Sequence, residues 1–218
     1  MEKLNIVIIG SGGHSKVVRD IISSKEDYCV KAVLDDKYDQ LTSNGDIYTG
    51  PISSAQHIIS LYEGIKFIIA IGNNEIRQSI VSKLGLSHES YISLVHETAV
   101  ISPSAFVGSG TVIMANAVVQ ADAIIGRYTI INTSAIIEHD NCIGDYVHIA
   151  PRATLTGDVK VKHGCMIGAG ATIIPGLSIG ERSVIGAGST VIHSIPSDCT
   201  AVGIPAKVIN KNKRSMDS

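Results

Sequence analysis

The sequence predicts a small α/β domain followed by a three-sided parallel β-helix, and three observations support this prediction. Strand patterns alternate with helix patterns over about residues 1–90, and a glycine-rich turn follows the first strand. From Val95 to Val191 an aliphatic residue then recurs at every sixth position without interruption. A chain of 218 residues is long enough for two such domains.

The ladder of aliphatic residues has a period that suits neither a helix nor an ordinary strand, because those need apolar residues every three or four positions or every second position. A period of six suits short flat strands joined by tight corners, and three such strands make one coil of about eighteen residues. The residue four places after the aliphatic one is usually small, and we expect it to let the chain turn. A generic all-β sandwich, which has loops of variable length, does not explain the fixed register. The ladder consists of Val95, Ile101, Val107, Ile113, Val119, Ile125, Ile131, Ile137, Ile143, Ile149, Leu155, Val161, Ile167, Ile173, Ile179, Ile185 and Val191.

Composition narrows the classes of partner and compartment. The net charge of −2 provides no basic field, so we expect no nucleic-acid partner. No signal peptide and no run long enough to span a membrane are recognisable, which predicts a cytoplasmic protein. The cysteines lack CxxC spacing, so we interpret them as reduced thiols. They are Cys29, Cys142, Cys165 and Cys199.

The first domain is predicted over residues 1–90 as a small doubly wound, Rossmann-like unit in which strands alternate with helices. The strands are Asn5–Ile9, Val30–Leu34 and Phe67–Ile71, the helices are Ser15–Ser24, Ser54–Tyr62 and Glu75–Leu84, a loop holds Asn44-Gly45, and Tyr91–Leu94 is extended. Ser53 or Ser54 is a plausible cap of the second helix. The β-helix is predicted over residues 91–200, where Ile195-Pro196 ends the repeat. An exit segment and tail follow over residues 201–218, frayed from Asn210 onwards.

The glycine-rich turn Gly10-x-Gly12-Gly13 lies between the first strand and the first helix. Such a turn lets a phosphate approach the backbone and the helix N-terminus, and Asp35 after the second strand could accept a ribose hydroxyl. Ser15 replaces the third glycine of the dinucleotide pattern, which favours a nucleotide diphosphate over NAD. Gly72-Asn73-Asn74 would line the same edge. The alternative, that these glycines only make tight turns, remains open.

His139 lies between Glu138 and Asp140 within the repeats. A solvated charged face is the simpler interpretation, although an imidazole flanked by carboxylates is also what a general base needs. Two further histidines, His163 and His193, occupy the same place in their hexads. No His-x4-His spacing is present, so no metal site is expected.

Several motifs together resemble the sialic-acid O-acetyltransferase (NeuD) family of left-handed β-helix sugar acyltransferases, and within it the UDP-N-acetylbacillosamine N-acetyltransferases. The likeness covers nearly the whole chain. Its motifs are Gly10-Ser-Gly-Gly-His14, Leu34-Asp35-Asp36, Ala70-Ile-Gly72-Asn73-Asn74-Glu75-Ile-Arg77, Asn132-Thr-Ser-x-Ile-Ile-Glu-His139 and Gly203-x-Pro-Ala-Lys207.

The resemblance implies a left-handed helix, a homotrimer, and acetyl-CoA bound between neighbouring prisms. His139 would be the general base and Asp140 would support it, although the bacillosamine enzymes carry Glu at the matching position, so the carboxylate is one methylene shorter here. The substrate site would contain Gly12, Gly13, His14, Asp35, Asp36 and Gly72, and the acetyl-CoA site His148, Ala169 and Ala187.

The predicted function is therefore acetyl-CoA-dependent N-acetylation of a UDP-4-amino-4,6-dideoxy sugar, by direct transfer, in glycan or exopolysaccharide biosynthesis. Two alternatives stay open: O-acetylation of a sialic-acid-type sugar, and a non-catalytic trimeric scaffold that binds nucleotide sugars.

Overall fold

The computed structural model describes residues 3–211, which form two compact units divided after Leu94. The first unit contains a five-stranded sheet in the order β3-β4-β2-β1-β5. Strands β1, β2, β4 and β5 are parallel, and β3 pairs antiparallel with β4. Its strands are β1 (Leu4–Ile9), β2 (Tyr28–Leu34), β3 (Thr42–Asn44), β4 (Ile47–Gly50) and β5 (Lys66–Ile69), and its helices are α1 (Gly13–Ser23), α2 (Ala55–Leu61) and α3 (Asn74–Leu84).

The central strand β1 explains why this unit folds as an α/β layer. Its residues Ile6 to Ile9 are all completely buried, which requires cover on both faces of the sheet and accounts for the unbroken aliphatic run. Helix α1 contributes Val18, Ile21 and Ile22 to the buried set. The expected Rossmann-like unit is confirmed.

Two local predictions in this unit were wrong. The expected loop around Asn44-Gly45 is the tip of the β3–β4 hairpin, whose strands are too short and polar to show an apolar alternation. The serine cap of the second helix is also absent. A 3₁₀ turn (Ile52–Ser54) leads into α2, and neither it nor α2 has a capping side chain at its own N-cap residue. Instead, Asp36 Oδ1 accepts a hydrogen bond from the Ile52 N–H at 2.9 Å.

The second unit is a parallel β-helix built from two-residue strands that repeat every six residues. Strands pair with partners eighteen residues away, as Val118 does with Ile136. The strands are β6 (Leu94–Val95), β7 (Val100–Ile101), β8 (Phe106–Val107), β9 (Val112–Ile113), β10 (Val118–Val119), β11 (Ile124–Ile125), β12 (Ile130–Ile131), β13 (Ile136–Ile137), β14 (Cys142–Ile143), β15 (His148–Ile149), β16 (Thr154–Leu155), β17 (Lys160–Val161), β18 (Met166–Ile167), β19 (Thr172–Ile173), β20 (Ser178–Ile179), β21 (Val184–Ile185) and β22 (Thr190–Val191).

These strands form three sheets, one on each side of the prism. We call them side 1 (β7, β10, β13, β16, β19, β22), side 2 (β8, β11, β14, β17, β20) and side 3 (β6, β9, β12, β15, β18, β21). From Ile113 to Val191 every residue of the aliphatic ladder is at most 2% exposed, so the ladder fills the interior as predicted.

The structure differs from the prediction about which residue makes the turn at each corner. From Val107 to Ile185, the residue three places after each ladder residue adopts a left-handed φ, as in Asp140 at 60° and Tyr128 at 55°. The small residue that follows, such as Ala135 or Ala153, is completely buried inside the corner. This buried residue is small because the interior of the prism is narrow at the corner. The residue before it makes the bend.

The end of the helix also departs from the prediction. The stack continues past Ile195-Pro196, because β23 (Cys199–Gly203) pairs parallel with β21 and antiparallel with β24 (Ala206–Lys211). Asn210, expected to begin a frayed tail, pairs with Thr200 in this hairpin. The rest of the predicted tail, residues 212–218, lies outside the described residues.

All four cysteines are free in the structure. Burial raises the pKa of the Cys165 thiol to about 11, and its Sγ lies 2.9 Å from the Gly180 carbonyl oxygen. This thiol is therefore a poor nucleophile at neutral pH.

The close stacking of coils yields a stability prediction at Gly126. A Cβ at this position would lie 2.5 Å from the carbonyl carbon of Gly144 on the next coil. Gly126→Ala should force the coils apart and lower the free energy of unfolding by about 1–3 kcal/mol. Thermal unfolding followed by circular dichroism measures this. Gly13→Ala is the control because a Cβ there meets nothing within 4 Å, and equal melting temperatures for the two variants would contradict the prediction.

Candidate functional site

The first candidate site lies at the carboxyl edge of the five-stranded sheet. Strand β1 runs between β2 and β5, and the chain passes from β1 to β2 on one side and later to β5 on the other. This reversal is the switch point at which α/β sheets bind ligands. The glycine turn after β1, Asp35 after β2 and Gly72 after β5 all follow strands that end at this edge.

The glycines of the turn have different physical roles. Gly10 has a φ of 102°, and a Cβ there would lie 2.7 Å from Ile71 Cγ1, so the fold itself requires glycine. Gly12 and Gly13 have neither constraint, and a Cβ on either would meet nothing within 4 Å. Turn geometry therefore explains why residue 10 is glycine, but not why residues 12 and 13 are. Without side chains, Gly12 and Gly13 leave the N-terminus of α1 open. His14 lies half-buried in the first turn of that helix.

Asp35 connects the glycine turn to the end of β2. Its Oδ2 accepts hydrogen bonds from the Ser11 N–H at 2.7 Å and the Ser11 hydroxyl at 2.8 Å, and its Oδ1 accepts one from the Lys37 N–H. Partial burial raises the pKa of Asp35, but these hydrogen bonds outweigh it and leave the pKa below its ordinary value. Asp35 is thus an ionised clamp that shapes the turn.

Asp36 and Gly72 are also held by neighbouring groups. Asp36 Oδ2 lies 3.3 Å from Lys83 Nζ, while its Oδ1 caps the 3₁₀ turn described above. The buried guanidinium of Arg77 donates to the Ile71 carbonyl at 2.9 Å and to the Gly72 carbonyl at 3.2 Å. The structure therefore places the predicted substrate residues along one edge, where neighbouring groups hold Asp35, Asp36 and Gly72.

The second candidate site is the corner between sides 1 and 2 that carries His139. The ring Nδ1 lies 2.7 Å from Asp140 Oδ2, so the shorter aspartate does reach the ring. The hydrogen bond to Asp140 is the main cause that raises the pKa of His139, and the charges of Asp140, Glu138 and Asp158 act in the same direction. Because Nδ1 donates to the carboxylate, Nε2 of the neutral ring is left as the proton acceptor.

Sequence reasoning missed Gly157, which lies one coil beyond His139. A Cβ at Gly157 would lie 2.6 Å from His139 Cε1 and 2.7 Å from Nε2. The absence of a side chain there gives the imidazole its position against the next coil. A glycine eighteen residues after the histidine is the sequence signal that could have indicated this packing.

His148 lies elsewhere, on side 3, and its ring contacts Asn132 on the preceding coil. Asn132 Oδ1 accepts from the Thr133 N–H at 2.8 Å, which turns the amide nitrogen towards His148 Nε2 at 3.0 Å. An amide N–H only donates, so Nε2 accepts and the ring proton lies on Nδ1. Asn132 therefore sets the tautomer of His148.

The remaining predicted residues of the β-helix fall at other corners. Ala169 and Ala187 are exposed on successive coils at the corner between sides 3 and 1. His163 packs edge-on against Tyr146 at 5.3 Å, and Tyr146 stacks on Tyr128 at 5.0 Å, which gives His163 a structural role. The structure thus brings His139 together with Asp140, but separates this pair from His148 and from both alanines within one chain.

Residues 3–211 contain no group of three or more His, Cys, Asp or Glu side chains arranged to hold a metal ion. None of the helices in this range is long and apolar enough to cross a bilayer.

Comparison with known proteins agrees with this architecture. The family model of the PglD N-terminal domain matches residues 5–84, and that of the bacterial transferase hexapeptide (six repeats) matches residues 142–175 and 158–193. A UDP-N-acetylbacillosamine N-acetyltransferase of Bacillus subtilis (strain 168) is 47% identical over 111 residues, which are 51% of this chain and 51% of that protein. The chain spans about half of the length of this relative and 21% of the length of a second curated relative.

Solved structures match over a larger part of the chain. PerB from Caulobacter crescentus, in complex with CoA and GDP-perosamine, has a TM-score of 0.85 and 33% identity and covers 94% of this chain and 97% of its own. The acetyltransferase domain of PglB from Neisseria gonorrhoeae FA1090, in complex with acetyl coenzyme A, matches with a TM-score of 0.81 and 32% identity. The match covers 95% of this chain and 100% of the PglB domain.

These matches define the fold as a Rossmann-like unit followed by a left-handed β-helix of hexapeptide repeats, the architecture of a hexapeptide transferase. The chain belongs to the sialic-acid O-acetyltransferase (NeuD) family of left-handed β-helix sugar acyltransferases, as its motifs indicated.

The contact between His139 and Asp140 yields a prediction on pH dependence. The hydrogen bond raises the pKa of His139, so a reaction that needs the neutral ring should lose rate as the pH falls through this raised value. Asp140→Asn should move the acid limb of the kcat/KM profile to lower pH and reduce kcat about 10-fold or more. Steady-state rates between pH 5 and 9 measure both effects, and an acid limb at the wild-type position would contradict the assignment.

Proposed function

We propose that this protein transfers the acetyl group of acetyl-CoA to the amino group of a UDP-linked 4-amino-4,6-dideoxy sugar, as a step in glycan or exopolysaccharide assembly. The observation that carries this proposal is the exposed imidazole of His139, held at Nδ1 by Asp140 with Nε2 left to accept a proton. The relatives support the substrate class, because one is named for N-acetylation of a UDP-amino sugar and another was solved with CoA and GDP-perosamine.

The nucleotide end of the substrate would bind at the glycine turn of the first unit. Helix α1 has no side-chain cap and no acidic residue in its first turn, so its N-terminal N–H groups and partial positive charge suit a diphosphate. The open space above Gly12 and Gly13 allows the phosphates to approach the backbone. Contacts of His14, Asp35, Asp36 and Gly72 with the nucleotide sugar remain predictions.

The proposed reaction is direct transfer between two bound substrates. The amine nitrogen attacks the thioester carbonyl carbon, and His139 Nε2 takes the proton that the nitrogen releases. The C–S bond then breaks, and the imidazolium returns the proton to the sulfur of CoA. The buried Cys165 is unsuited to carry the acetyl group, since burial raises the pKa of its thiol to about 11.

The placement of the two histidines supports assembly of the acetyl-transfer site from two copies of the chain. His139 lies at the corner between sides 1 and 2, whereas His148 lies on side 3, which faces away from that corner. If His148, Ala169 and Ala187 contact acetyl-CoA, the base that acts on this thioester comes from a neighbouring subunit of the proposed trimer. Phe106 and Ile124 are 61% and 51% exposed on side 2 and support an interface there.

His139→Ala tests the proposed base. Turnover of a UDP-4-amino-4,6-dideoxy sugar should fall about 10²- to 10⁴-fold, because base catalysis typically contributes that much. Mass spectrometry of the product measures the addition of one acetyl group and locates it on nitrogen or oxygen.

The control for this test is ligand binding. UDP and acetyl-CoA should each still raise the melting temperature of the His139→Ala protein, since ligands that bind the folded state stabilise it. Full turnover by His139→Ala would remove this residue from the mechanism, and acetylation on oxygen would overturn the N-acetyltransferase proposal. A wild-type protein stabilised by UDP but not by acetyl-CoA would be a scaffold.

Mixing two inactive variants tests whether the site is shared between subunits. His139→Ala and His148→Ala proteins, co-expressed with different tags and purified as mixed oligomers, should regain activity at limiting acetyl-CoA, because some interfaces then contain both histidines. The double variant His139→Ala/His148→Ala mixed with His139→Ala is the control and should stay inactive. Mixed oligomers without recovered activity would contradict a site built from two copies.

A further inference from the structure

Asn141 stands out among the residues that point into the corner between sides 1 and 2. One inward residue from each coil occupies this column, and the residues on either side of Asn141 in the stack are apolar. The column contains Ala105, Ala123, Asn141, Val159, Leu177 and Ile195. Asn141 is 1% exposed, so a polar amide is buried where neighbouring coils use hydrocarbon.

The amide nitrogen of Asn141 contacts three backbone carbonyl oxygens. Nδ2 donates to Glu138 O at 2.7 Å, to Thr156 O at 2.9 Å and, more weakly, to His139 O at 3.4 Å. Carbonyl oxygens only accept, so the nitrogen must face them and Oδ1 must face the other way. Oδ1 is buried and has no hydrogen-bond partner among the described residues. Leaving it unpaired costs free energy.

Polar residues that point into the corner between sides 2 and 3 provide a comparison, because their side chains make hydrogen bonds that only join neighbouring coils. Thr111 Oγ1 donates to Gly126 O at 2.8 Å, Thr129 Oγ1 to Gly144 O at 2.9 Å, and Ser183 Oγ to Pro196 O at 2.6 Å. Each joins one coil to the next. Asn141 makes the corresponding bond to Thr156, and its greater length adds the short bond to Glu138 O.

The added bond falls on the backbone of His139. Glu138 O belongs to the peptide that precedes His139, and His139 O belongs to the peptide that follows it. Thr156 O belongs to the peptide that leads into Gly157, against which the imidazole packs. A single buried amide therefore ties both peptides of His139 to the coil beneath its ring.

We propose that Asn141 is a positioning residue that holds the His139 imidazole between Asp140 and Gly157. This inference rests on the proposed role of His139 as the general base. The amide oxygen has no partner within residues 3–211, and such departures from local packing rules are expected at functional positions.

Asn141→Ala tests the proposal. Alanine occupies the same column at Ala123, so the coil can accommodate it. With the turn loosened, kcat should fall about 10- to 100-fold with little change in either KM, since small displacements of a reacting group have effects of this size. The pKa of His139, followed by NMR of the ring Cε1–H, should fall because the ring moves away from Asp140, the main group raising it, with Glu138 and Asp158 contributing.

Two further variants complete the experiment. Thr111→Ala removes a bond between coils far from His139 and should leave kcat and the His139 pKa unchanged. Asn141→Ser keeps a donor for Thr156 O but cannot also reach Glu138 O, so kcat and the pKa should lie between those of the wild type and the alanine variant. If Asn141→Ala does not fold, the serine variant carries the test.

The NMR measurement separates this inference from the proposed function. If His139→Ala keeps full turnover, the base assignment fails, yet the His139 pKa in Asn141→Ala still shows whether Asn141 positions the ring. An unchanged His139 pKa in Asn141→Ala overturns the proposal, whether or not kcat falls.

Discussion

The stacking of one backbone coil on the next is the constraint on which the second unit depends. Residues eighteen apart pair along each side of the prism, and hydrogen bonds such as Val118 N to Ala135 O at 2.9 Å repeat coil after coil. The closeness of the coils excludes a Cβ at Gly126. It also fixes where each outward side chain emerges, so the position of an imidazole follows from its place in the hexad.

The corners show how the same stacking of coils brings reactive side chains into contact. At most corners one residue adopts a left-handed φ, which asparagine and aspartate tolerate better than most residues. Asp140 occupies such a position with a φ of 60°, and its carboxylate lies against the ring of the residue immediately before it. In a regular strand these two neighbours would point to opposite faces. The backbone strain of the corner thus makes possible a base–carboxylate pair from adjacent residues.

The sequence was most informative where one physical requirement repeats. The six-residue ladder predicted the interior of the β-helix, and strand–glycine–helix patterning predicted the edge of the first unit on which Asp35 lies. The sequence was least informative where a single contact determines the local structure. The β3–β4 hairpin has no apolar pattern, Asp36 caps a turn sixteen residues further along the chain, and Gly157 and Asn141 owe their places to contacts with the turn of His139. Such pairings depend on which coil lies beside which, and become visible only once the register is known.

The distribution of polar groups separates structure from proposed function within one regular scaffold. Where a buried hydroxyl only joins two coils, as at Thr111 and Ser183, its bond to a carbonyl matches those at equivalent corners. At His139 the same scaffold carries several departures at once: an acidic pair around an imidazole, a glycine beneath the ring and a buried amide whose oxygen has no partner among the described residues. In a repeat protein such departures can be recognised, because the other coils show what the fold alone requires. Their convergence on one turn is a physical reason, independent of any relative, to place the proposed chemistry there.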